Sequence, residues 1–155
     1  LYLAAAGSAL DTGFNQAYTR HFLNSLRYKA LEKLEQFPGL FDKKALKKCT
    51  SIYDFDNLVT APLHGFRDTD DYWHQSSSKP WLAHIKVPTL VINARNDPFM
   101  PAFVLPAQKE VSPAVTLEFP EEGGHAGFMQ GPFPGKLSWL PQKILSFFRY
   151  QCLQN

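Results

Sequence analysis

Asp97 and His125 are the residues of this 155-residue chain whose surroundings best fit acid–base chemistry. Asp97 lies in Arg95-Asn96-Asp97-Pro98-Phe99-Met100-Pro101, directly after the apolar run Thr89-Leu90-Val91-Ile92-Asn93-Ala94. His125 lies in Pro120-Glu121-Glu122-Gly123-Gly124-His125-Ala126-Gly127-Phe128, directly after Val115-Thr116-Leu117-Glu118-Phe119. Each run reads as a strand, so both residues fall just past a strand's carboxyl end. In open parallel sheets the working residues gather outside those ends. The glycines around His125 permit tight backbone geometry. A carboxylate that accepts the Nδ1 proton of an imidazole fixes the tautomer and stabilises the imidazolium, leaving Nε2 to act as a general base. The pair therefore amounts to the acid and base of a nucleophilic triad. Each residue alone has a plainer reading: Asp before Pro is a common turn residue, and His in a glycine loop can be purely structural. Their order, each behind its own strand, favours the catalytic reading.

The third member is missing. A nucleophilic serine at a strained strand-to-helix turn requires Gly-x-Ser-x-Gly, and no such motif occurs in the chain. Ser8 stands in Ala6-Gly7-Ser8-Ala9, and Ser76, Ser77 and Ser78 follow a helix with no strand before them. Other polar residues read more simply. His21, His64, His74 and His84 lack the i, i+4 partners or cysteine neighbours of a metal site, so no metal or organic cofactor is expected. Asp54, Asp56, Asp68, Asp70 and Asp71 fit helix caps and first turns. Phe99, Met100, Phe128 and Met129 flank the two turns, where they could line an apolar substrate pocket or pack the core.

The elements that must position these residues divide the chain in two. Residues 1–86 read as a helical cap region, and residues 87–155 as a strand–helix–strand–helix unit. Asp11 or Thr12 can cap a helix that begins near Phe14, with an apolar face of Phe14, Ala17, Tyr18, Phe22, Leu26, Ala30, Leu31 and Leu34, and that ends at Pro38 and Gly39. Asp42 caps a short helix through Lys48. Ser51 and Asp54 form a capping box opening a helix that Pro62 should stop. Asp68 or Thr69 starts another, which fades in Ser76, Ser77 and Ser78. Thr89–Ala94 suits a strand buried on both faces, and the stretch before Val115 has room for one crossover helix. Leu137–Tyr150 closes the chain as an amphipathic helix, with Leu140, Ile144, Leu145, Phe147 and Phe148 as core candidates. A two-stranded parallel sheet needs partner strands that this chain does not obviously contain.

Composition bounds the rest. Hydrophobic residues make up 45%, charged residues 19% and aromatics 14%, as in a globular protein with a large apolar payload. A net charge of +2 is too small to favour nucleic acid, and the cluster Lys43, Lys44, Lys47 and Lys48 reads as a solvated helix face. Cys49 and Cys152 match no metal or redox spacing, so free buried or half-buried thiols in a reducing, cytoplasmic compartment are expected. No apolar run is long enough for a spanning helix. Leu1–Ala6 is apolar but too short for a complete signal peptide. The start at Leu rather than Met suggests a processed, cloned or fragmentary N-terminus.

The chain also resembles a family. Asp56-Asn57-Leu58-Val59-Thr60-Ala61-Pro62-Leu63-His64-Gly65-Phe66, Asn96-Asp97-Pro98-Phe99-Met100-Pro101 and Gly123-Gly124-His125-Ala126-Gly127-Phe128 are similar to segments of the YheT-type α/β-hydrolases, relatives of the abhydrolase-domain esterases and lipases. The likeness runs from about Ala4 to Tyr150. It implies the C-terminal part of an α/β-hydrolase fold, with Asp97 as triad acid, His125 as triad base and residues 14–86 as the helical insertion. The serine elbow and oxyanion hole are then expected upstream of Leu1, and the chain by itself should be inactive. Carboxylic esters are the implied small-molecule substrates, and the expected partner is the missing N-terminal half or another copy of the chain. The alternative is a non-catalytic module that serves binding or assembly.

Overall fold

Short polar signals decide where the helices begin. In the computed structural model, which describes residues 1–153, Asp42 accepts from the Lys44 and Ala45 amides and opens α3 (Lys43–Lys48). Ser51 accepts from the Asp54 amide while Asp54 accepts from the Ser51 amide, so a reciprocal capping box opens α4 (Ile52–Phe55). Asp68 accepts from the Asp71 amide at the start of α6 (Thr69–Ser76). Each pairing satisfies amides that a helix's first turn leaves without partners. Two helices precede these: α1 (Leu3–Leu10), formed by the apolar N-terminal stretch, and α2 (Gln16–Gln36), which follows a 3₁₀ turn at Gly13–Asn15 and, contrary to expectation, is not capped by the side chain of Asp11 or Thr12.

The structure departs from the sequence expectations in two further places here. Pro62 does not stop the helix from α4. The chain widens into a π turn over Asp56–Thr60 and continues through Pro62 in α5 (Ala61–Leu63). A π turn changes the hydrogen-bond register, which accommodates the donor that proline lacks. The buried stripe of α2 is also rotated. Thr19, Leu23 and Ala30 are buried, whereas Phe14, Tyr18 and Phe22 are exposed. The Thr19 hydroxyl donates to the Leu10 carbonyl at 2.6 Å and fixes that rotation. Leu23, Ala30, Leu46, Phe55 and Val59 form the core of this unit.

The chain forms two compact units, one of residues Tyr2–Ser77 and one from Ser78 onward together with Leu1. The division falls before residue 87, because the 3₁₀ segment Lys79–His84 and the residues after it are tied to the segment that leads into the second strand. Leu82 is buried, its carbonyl accepts from the Ser112 amide, and the Ser112 hydroxyl donates to the Ile85 carbonyl at 2.6 Å.

In the second unit β1 (Thr89–Ile92) and β2 (Val115–Glu118) pair in parallel, with Thr89 opposite Val115 and Ile92 opposite Glu118. The connection between them is not a helix. It runs through 3₁₀ turns at Ala102–Val104 and Gln108–Glu110. Pro98, Pro101, Pro106 and Pro113 punctuate this stretch and remove the donors a helix would need. β1 is half-buried along its length rather than buried on both faces. The last helix, α7 (Trp139–Cys152), is held at its start. The Trp139 ring stacks on Phe128 at 4.7 Å, and Lys143 pairs with Glu118 at 2.8 Å. Of its core candidates, Leu140 and Phe147 are half-buried, while Ile144, Leu145 and Phe148 are exposed. With two strands there is no sheet face wide enough to cover them. Cys49 is buried and Cys152 is exposed rather than half-buried, and both are free thiols.

Candidate active site

The ladder between the strands runs on past their ends. The Asn93 amide donates to the Glu118 carbonyl at 3.2 Å and the Arg95 amide to the Pro120 carbonyl at 2.8 Å. Both chains therefore leave the sheet side by side at its carboxyl edge. The first then turns back on itself, with the Asp97 amide donating to the Ala94 carbonyl. This turn buries the Asp97 side chain completely.

A buried carboxylate is costly unless its oxygens are satisfied. Oδ1 of Asp97 accepts from the Phe99 amide at 2.8 Å and the Met100 amide at 3.3 Å. Pro98 has no amide proton, so the next two residues supply the donors. Oδ2 faces the second loop and lies 2.9 Å from His125 Nδ1. The two loops thus open on one rim of the sheet, within bonding reach of each other.

The His125 loop is built from glycine for steric reasons. A Cβ on Gly123 would lie 2.6 Å from Phe128 Cδ1 and 2.9 Å from the Ala94 Cβ. The Gly124 amide donates to the Gly127 carbonyl at 2.6 Å, closing a tight turn with His125 inside it. The imidazole is thus held at Nδ1 by a buried acceptor, while the side chain remains 56% exposed. The Phe99 ring meets it edge to face, with centroids 5.2 Å apart.

The other candidates for substrate contact separate. Phe99 is half-buried beside the imidazole, whereas Met100 and Phe128 are buried. A cavity of about 660 Å³ adjoins the histidine loop, with Asn96, Gly127, Met129, Phe133 and Leu137 in its lining. Phe133 and Leu137 carried no recognisable sequence signal, since exposed aromatics and leucines in loops are ordinary. Asn96 is the other residue the sequence did not single out. Its side chain accepts from the Gly123 amide at 2.8 Å, linking the two loops a second time.

Asp54, Asp56, Asp68, Asp70 and Asp71 of the helical unit have structural partners. Trp73 Nε1 donates to Asp56 at 2.8 Å, and the Tyr53 hydroxyl donates to Asp70. Burial works against the Asp54 carboxylate, but hydrogen bonds from Thr50 and Ser51 outweigh it and lower its pKa. Bonds from the Arg67 and Gln75 side chains and the Arg67 amide hold Asp71 far below the usual carboxylate range. Among the described residues no cluster of His, Cys, Asp and Glu is placed to hold a metal ion, and no helix is long and apolar enough to cross a membrane.

Comparison with known proteins agrees with this architecture. A family model described as the alpha/beta hydrolase fold matches residues 14–132. The protein named "Putative esterase YheT" of Escherichia coli (strain K12) is 38% identical over 144 residues, which cover 92% of this chain and 42% of that protein. Phospholipase ABHD3 of Mus musculus is 28% identical, over 92% of this chain and 35% of its own length. Monoacylglycerol lipase ABHD2 of Homo sapiens is 29% identical over 116 residues, 72% of this chain and 27% of that protein. The chain thus spans less than half the length of each of these relatives. No solved structure gives a significant match. The region matched by the family model takes in both parallel strands, the Asp97 turn and the His125 loop, and the chain belongs to the alpha/beta hydrolase fold family.

Proposed function

We propose that this chain carries the acid and the base of a serine hydrolase that cleaves carboxylic esters. One observation carries the reading. A fully buried Asp97 carboxylate, fixed by two backbone amides, lies 2.9 Å from Nδ1 of a half-exposed imidazole. That arrangement holds the proton on Nδ1 and leaves Nε2 as the basic nitrogen. Nε2 then takes the proton of a serine hydroxyl as its oxygen attacks the ester carbonyl, and returns it to the leaving alcohol. The acyl-enzyme is released by water, activated by the same nitrogen.

The serine belongs to a part of the parent protein outside these 155 residues, since no Gly-x-Ser-x-Gly occurs within them. Ester substrates are favoured because the relatives are named as an esterase, a phospholipase and a monoacylglycerol lipase. The apolar lining supplied by Met129, Phe133 and Leu137 suits the hydrocarbon part of an ester. In this reading the helical residues serve as the cap region. The test uses the longer protein with its upstream segment, assayed on short nitrophenyl esters. His125→Ala should lower turnover by about ten-thousand-fold or more while the circular dichroism spectrum is kept. Turnover retained in that variant would remove His125 from the role.

A further inference from the structure

We propose that Asn96 is a positioning residue for His125, an inference that rests on the catalytic reading of the Asp97–His125 pair. The acid loop grips the histidine loop at two adjacent residues. Asp97 holds the ring at Nδ1, and Asn96 Oδ1 accepts the Gly123 amide at 2.8 Å, two residues before the histidine. The grip on the backbone matters because of what lies between. Gly123, Gly124 and Gly127 surround His125, and glycine restricts the backbone least of all residues. Downstream of Gly123 the loop is closed by the bond from the Gly124 amide to the Gly127 carbonyl. That bond shapes the turn but does not fix where the turn sits relative to Asp97. Asn96 supplies that registration, since its own loop is set by the Asp97 amide bond to Ala94 and by the amides of Phe99 and Met100 on the Asp97 carboxylate.

The neighbouring links do less. Arg95 and Glu121 pair at 3.1 Å with both side chains exposed, and such surface pairs are weakly held. The bond from the Arg95 amide to the Pro120 carbonyl aligns the loops where they leave the sheet, ahead of the glycines. Asn96 is exposed, so water competes for its bond and the effect on overall stability is small. Its loss is felt instead in how often Nε2 points at the serine. Misplacing a catalytic group by about 1 Å can cost a hundredfold in rate.

The test uses the longer protein, its ester assay and the variants Asn96→Leu, Asn96→Asp and His125→Ala. Leucine matches the size and removes the acceptor, whereas aspartate keeps it. Asn96→Leu should lower kcat by about tenfold to a hundredfold, because the orientation of His125 is lost. Asn96→Asp should restore kcat to within about threefold of the unaltered protein. If Asn96→Leu does not fold, Asn96→Ala carries the same comparison. An unchanged kcat in the acceptor-free variant, or a loss that aspartate does not restore, overturns the role of Asn96. Activity surviving His125→Ala would instead defeat the catalytic reading on which the role depends, so the two failures are told apart.

Discussion

The Asp97 carboxylate divides its two oxygens between two tasks. Oδ1 is occupied by the amides of Phe99 and Met100, and Oδ2 is left to His125. This asymmetry matters because hydrogen bonds to an ionised acceptor are among the stronger ones in proteins. It also specifies a tautomer: with a carboxylate at Nδ1, the proton stays there and Nε2 keeps its lone pair. Asp97→Asn keeps the size and the acceptor for Phe99, but turns an amide NH₂ toward the ring. The imidazole must then accept at Nδ1 and carry its proton on Nε2, where it cannot act as a base. We therefore expect nitrogen-15 NMR of the 155-residue chain to show the Nδ1-protonated ring in the unaltered protein and the Nε2-protonated ring in Asp97→Asn. The same tautomer in both would mean that the carboxylate does not orient the ring.

How much of this was legible beforehand depended on the residue. Asp97 and His125 were, because each follows a β-branched run and stands next to proline or glycine. Asn96 was not, because its role comes from a contact across 27 positions, which local pattern does not encode. Met100 and Phe128 have the chemistry of pocket residues but are buried. Apolar character alone does not separate a lining position from a packed one.

Among the elements, the helix starts were the most legible and the connections the least. Asp42, Ser51 with Asp54, and Asp68 all cap as their types and spacing predict, whereas neither Asp11 nor Thr12 caps the helix that follows them. The crossover between the strands is where counting residues misled, since its length allows a helix but its prolines do not. The caps also make the helical unit sensitive to acid. Asp54 and Asp71 both have lowered pKa values in the folded chain. A group whose pKa is depressed by folding adds stability above its unfolded value, and that stability is lost as pH falls through the folded one. Stability should therefore be level near neutrality and decline as pH drops below about 4. Chemical denaturation followed by circular dichroism across that range should show the decline, and Asp54→Asn should flatten part of it. Stability independent of pH below 4 would contradict this account of the caps. Substituting the cap itself, Ser51→Ala, removes an interaction whose loss elsewhere costs about 1 kcal/mol.

For the molecule as a whole, the same feature explains the fold and its limits. Two parallel strands create one carboxyl edge, which is enough to bring Asp97 and His125 together, but they do not make a sheet wide enough to cover α7. Leu145 and Phe148 accordingly remain exposed on that helix, and β1 is only half-buried. The relatives, of which this chain spans 42%, 35% and 27%, are longer than this chain. In the proposed enzyme the acid and the base reside in these 155 residues, and the nucleophile resides in the rest of the protein. Labelling by a fluorophosphonate, which reacts covalently with a serine activated by a neighbouring base, tests that division most directly. The longer protein should be labelled, its His125→Ala variant should lose labelling, and the 155-residue chain should not be labelled. Rapid labelling of the 155-residue chain, or undiminished labelling of the His125→Ala protein, would contradict it.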